Sequence, residues 1–143
     1  MSRREKFFMQ TEPADAPDPP YCLIDKEPPV KVATMIAEKM RDLGEKFESE
    51  DELVKLKAGE QFVYVVIACS VIKLGGDWTK YASEWGEASP EWPRVLWTEE
   101  DYKARVRVVS QFSSKDASKL ALKINAYLAP TENERENSER PPE

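Results

Sequence analysis

Residues 49–76 read Ser49-Glu-Asp-Glu-Leu-Val-Lys-Leu-Lys-Ala-Gly-Glu-Gln-Phe-Val-Tyr-Val-Val-Ile-Ala-Cys-Ser-Val-Ile-Lys-Leu-Gly-Gly76, and their reading decides the fold. The stretch opens on a capping box. Ser49 is placed to accept the backbone N–H three residues on, and Glu52 to reach back to the Ser49 amide. Leu53, Leu56, Phe62, Val63, Val66, Cys69 and Leu74 follow. From Phe62 to Ile72 the run is apolar on every side, and a helix of that kind is buried all round. Gly75-Gly76 then suits a left-handed C-terminal cap. Phe62 to Ile67 is also β-branched and aromatic, which is strand composition. The capping box, the glycine stop and the length together favour a central buried helix.

The flanking segments carry helical patterns of their own. Upstream, Ile36, Met40, Leu43 and Phe47 share one helical face that begins after Pro29, with Gly44 as a possible early stop. Downstream, Asp77 can cap a short helix from Trp78 to Trp85. A loop from Gly86 to Trp97 follows, broken by Pro90 and Pro93. Thr98-Glu-Glu-Asp101 marks another start, its acids suited to the positive end of a helix dipole. Tyr102, Val106 and Val109 continue on one face, although Arg105 to Val108 alternates like a strand. The last helix spans Ser114 to Leu128, with Ala117, Leu120, Ala121, Ile124 and Leu128 as its stripe and Pro130 beyond its end. These elements predict an all-α fold: a small bundle of about five helices around the apolar central one.

The ends read differently. Six of the eleven prolines lie between residues 13 and 29, which favours extended backbone and forbids a helix. Residues 1–30 are therefore predicted to be a proline-rich arm, 31–129 the helical domain, and 130–143 an acidic, disordered tail. Thr131 to Glu143 has no aliphatic or aromatic residue with which to offset its ordering entropy. Residues 1–30 carry four basic and six acidic side chains, and residues 130–143 two and five, so the net charge of −6 resides mainly in the ends.

Several function classes are disfavoured. There is no histidine, hence no imidazole base and no histidine metal ligand. Cys22 and Cys69 are too few for a zinc site and form no disulfide framework, which points to a reducing, intracellular setting. No glycine-rich phosphate loop occurs, and no cofactor or metal is implied. The acids at 48–52 and 99–101 sit where helix starts want them. Nothing in residues 1–9 resembles a secretory signal, and the longest apolar run is too short for the roughly 18–20 residues a bilayer needs. No membrane insertion is expected.

The surface signals favour a protein partner. Trp78, Trp85, Trp92 and Trp97 fall within twenty residues, and Trp78, Tyr81 and Trp85 share a helical face. Tryptophan is enriched at interface hot spots, though such a face can equally close a bundle. Trp92, between two prolines, is the candidate for an outward anchor. Tyr21-Cys-Leu23-Ile24 is an apolar island in the arm, read first as packed on its own domain, with a docking peptide for a partner or an inert island as the alternatives. The resulting expectation is a non-catalytic interaction module: an adaptor, assembly factor or small subunit of a larger complex. Its candidate contact residues are Trp78, Tyr81, Trp85, Trp92, Trp97, Tyr21, Leu23 and Ile24. The alternative is a nucleic-acid-associated protein using Lys115, Lys119 and Lys123, which recur along one helix face. A small enzyme working with carboxylates alone is the third reading.

Overall fold

A computed structural model describes residues 3–9, 18–78, 81, 91–93 and 98–128. Strands β1 (Arg4–Phe8) and β2 (Tyr21–Asp25) precede helix α1 (Val30–Met40), a 3-10 turn at Arg41–Leu43 and the single-turn α2 (Gly44–Phe47). Helix α3 (Glu52–Ser70) leads into strand β3 (Lys73–Gly75), and α4 (Glu99–Val109) and α5 (Ser114–Leu128) close the order.

The fold is therefore mixed, and the all-α expectation is corrected by a three-stranded antiparallel sheet of order β1-β2-β3. The proline-rich arm is corrected with it, because Tyr21–Asp25 is the central strand. Prolines forbid helix at 19, 20, 28 and 29, but they flank the strand rather than interrupt it, where no ladder N–H is lost. Phe7 pairs with Cys22 and Cys22 with Leu74. That row across all three strands packs into the same core as Val66, Ile67, Leu120 and Ile124. Burial of Cys22, Leu23 and Ile24 in succession shows that β2 is covered on both faces, which explains why it lacks polar alternation. The predicted disordered tail, 130–143, lies outside the described residues.

Helix α3 is central, touching α1, α2, α4 and α5. Its cap differs from the expected one. Asp51 is the N-cap, accepting the Leu53 N–H at 2.9 Å, while Ser49 Oγ accepts the Asp51 N–H at 3.1 Å. Burial is graded along it: Val65 to Cys69 are buried, whereas Leu53 and Leu56 are exposed. The helix also stops earlier than the glycines suggested. Val71 turns extended, and the Ile72 N–H donates to the Leu23 carbonyl at 2.8 Å, so the chain leaves the helix to join the sheet. Leu74 thus belongs to β3. Gly76 does take the left-handed conformation, with φ 78°, but at the end of β3. A β-carbon there would lie 2.2 Å from the Pro19 carbonyl oxygen, so only glycine fits.

The remaining helices follow their patterns. Thr98 Oγ1 accepts the Asp101 N–H at 3.1 Å and starts α4, which is a helix through the alternating 105–108 stretch. Ser113 Oγ accepts the Asp116 N–H at 3.1 Å and starts α5, whose stripe Ala117, Leu120, Ala121 and Ile124 is buried. Arg105 is the least expected member of the interior. Only 3% exposed, it sends Nη1 to the Ala68 and Val71 carbonyls at 2.8 and 3.0 Å, and Nε to the Pro93 carbonyl at 2.8 Å. α3 has no basic residue in its own last turn, so α4 supplies the cation for the negative end of its dipole. Burial pushes the Arg105 guanidinium down to about 10, which leaves it charged at neutral pH.

Candidate docking groove

An apolar groove of about 600 Å³ runs between α3 and the corner joining α4 to α5. Its α3 wall is one helical face: Glu52, Lys55, Leu56, Gly59, Glu60, Val63 and Tyr64. The opposite wall is Val109, Ser110 and Phe112 from the corner, with Ser114, Ala117 and Ser118 from the start of α5.

Side-chain size shapes the groove. Val63, Val109, Phe112 and Ala117 supply apolar surface, and Phe112 is itself core, stacked on Trp78 with ring centroids 5.5 Å apart. Gly59 faces open space, since a β-carbon there would meet nothing within 4 Å. Glycine inside a helix costs about 0.5–1 kcal/mol relative to alanine, and packing among the described residues does not require it. Leu53 and Leu56 stand 59% and 70% exposed along this half of α3. The rim is polar and internally paired: Lys55 lies 3.8 Å from Glu52, and the Tyr64 hydroxyl donates to Glu60. Burial and that bond push the Tyr64 phenol up to about 12.

The expected contact residues that the structure describes are placed elsewhere. Trp78 is 1% exposed and donates its indole N–H to the Gly75 carbonyl at 2.8 Å, so it closes the core. Leu23 and Ile24 are buried in β2. Tyr81 is half-buried against Trp78 and Phe112. Trp92 is half-buried too. Its indole N–H donates to the Val71 carbonyl at 3.1 Å and its ring lies under the Arg105 guanidinium at 4.8 Å, so it is held inward rather than displayed. The Tyr21 ring covers Gly75, meets Phe8 edge-on at 5.7 Å and carries Lys6 Nζ at 4.7 Å. Trp85 and Trp97 lie outside the described residues. The structure thus brings Trp78 and Tyr81 into ring contact and packs Tyr81 and Trp92 against the core that holds Trp78.

The lysine face of α5 is partly engaged, because Lys123 Nζ pairs with Glu5 at 2.6 Å and ties α5 to β1. Both cysteines are free and buried. Among the described residues no group of three His, Cys, Asp or Glu could hold a metal ion, and no helix is long and apolar enough to cross a membrane. Leu53 and Leu56 could have been singled out in the sequence, since they precede the fully apolar run and alternate with charges at 52, 55, 57 and 60. No protein-family model matches this chain, and neither a curated protein nor a solved structure matches it.

Proposed function

We propose that the chain is a non-catalytic interaction module that receives an apolar helical segment of another protein in the groove beside α3. The observation that carries this reading is the exposure of Leu56 in the wall of an open apolar groove of about 600 Å³, with Leu53 exposed three residues before it on the same helix. Large aliphatic side chains left in water beside a concave apolar wall mark interaction sites. A groove with one helical wall suits a helix whose anchors recur at three- and four-residue spacing. The paired rim of Glu52, Lys55 and Glu60 gives such a contact a polar edge around an apolar centre.

The test is the double variant Leu53→Asp/Leu56→Asp in the full chain, measured twice. Exposed positions tolerate substitution within about 0.5 kcal/mol, so the melting temperature stays near that of the parent. Affinity capture with quantitative mass spectrometry should lose the parent's enriched proteins at least tenfold. A double variant that melts like the parent and enriches the same proteins contradicts the reading.

A further inference from the structure

We infer that the segment received beside α3 is a basic amphipathic helix, with a large apolar anchor seated over Gly59 and a lysine or arginine one turn away, opposite Glu60. This rests on the reading of the groove as a docking site and adds the chemistry of its occupant.

The anchor follows from shape. Leu56, Gly59 and Val63 line the groove from one face of α3, at three- and four-residue spacing, so the glycine is a gap in an apolar ridge. A β-carbon at Gly59 would meet nothing within 4 Å. Val109 and Phe112 line the same groove from the other side. A large apolar side chain entering the gap exchanges water for apolar surface. The missing side chain also lets a second helix axis approach to the near end of the usual ~8–10 Å.

The base follows from charge. Glu52, Lys55 and Glu60 are the charged residues of the groove lining. Lys55 lies 3.8 Å from Glu52, so these two largely offset each other. Glu60 accepts the Tyr64 hydroxyl, a phenol that stays neutral at physiological pH, and no described cation pairs with it. The facing wall offers Ser110, Ser114 and Ser118, which carry no charge. The lining is therefore negative, and so is the chain, at −6. A partner cation is attracted to Glu60 at contact and towards the whole chain during encounter. An acidic helix would instead bring like charges against Glu52 and Glu60. Gly59 and Glu60 are adjacent on the groove wall, so the anchor and the base that meet them stand about one turn apart on a helix laid along it.

Two fluorescein-labelled model helices test this on the full chain by fluorescence anisotropy. One is built of leucine and lysine, the other of leucine and glutamate, with leucines at the same three- and four-residue spacing. The leucine–lysine helix should bind at least tenfold tighter. Glu60→Gln, at an exposed position, should reduce that preference at least threefold while melting near the parent. Gly59→Leu fills the gap and should weaken the leucine–lysine helix at least tenfold with no drop in melting temperature, whereas attraction to net charge alone would be unchanged. The inference is overturned if neither helix binds, if the leucine–glutamate helix binds as tightly, or if either variant binds both helices as the parent does. Equal binding of the two helices that Gly59→Leu still weakens overturns the basic partner and leaves the docking groove standing. The groove itself fails on a different result, unchanged capture by Leu53→Asp/Leu56→Asp.

Discussion

The Tyr81 hydroxyl donates to Asp116 Oδ2 at 2.8 Å and accepts the Ser113 N–H at 2.9 Å, tying the chain after β3 to the first turn of α5. Asp116 is almost wholly buried, so this bond reaches a carboxylate that water cannot serve. Tyr81→Phe keeps the ring against Trp78 and Phe112 and removes only the hydroxyl. It should cost about 1–3 kcal/mol, the usual size of a hydrogen bond to a charged group, read from urea unfolding.

The same phenol gives an alkaline signature. Burial pushes Tyr81 up to about 12, with the Asp116 bond adding to the rise and the Ser113 bonds opposing it. Burial does the same to Tyr102. Their neutral forms are favoured by folding, so this stability is complete below pH 10 and is lost as pH rises through about 12. Absorbance at the phenolate band should show these tyrosines lagging free tyrosine, and Tyr81→Phe should remove part of the late-titrating amplitude.

At acid pH the attachment of β1 should loosen first. Burial alone would raise the Glu5 carboxyl, but bonds from Lys123 and Tyr127 outweigh it and hold Glu5 below its ordinary value of 4.5. A lowered carboxyl contributes stability above its ordinary value and loses it as pH falls through the folded one. Amide exchange in Arg4–Phe8 should therefore accelerate below pH 4.5 relative to α3, and Glu5→Gln should show that acceleration already at neutral pH.

The two thiols should be silent in the native state. Burial pushes Cys22 far above the ordinary thiol range and Cys69 up to about 11, so almost no thiolate is present at neutral pH. A disulfide-exchange reagent should label neither residue until denaturant is added, and both afterwards. Fast labelling of the folded chain would contradict the burial of β2 and of the end of α3.

What was legible in the sequence was local. Thr98 followed by three acids, and Ser114 to Leu128 with its apolar stripe, form helices because caps and three-to-four spacing act within a single turn. The sheet was not legible, because its evidence is distant in the chain. Arg4 pairs with Asp25, and Tyr21 with Gly75, so each strand gains its partners only after the chain has folded back. Covered on both faces, β2 shows no alternation, and its flanking prolines read as an arm. The candidate site was legible only in part. Tryptophans drew attention through their size, and the same size is why Trp78 is core. Leu53 and Leu56 belong to a helix whose pattern marks it as the buried centre of a bundle, and their exposure depends on which neighbours the folded chain sets beside that half of it.

The groove is tested most directly by photo-cross-linking from Leu56 in the source cells, with a benzophenone amino acid at that position of the full chain. The control is Glu38, which is exposed on α1 and outside the groove. The account predicts a discrete covalent adduct from position 56, made with a helical segment of another protein, and no such adduct from position 38. A folded chain that yields no adduct from 56, or the same adduct from both positions, would contradict it.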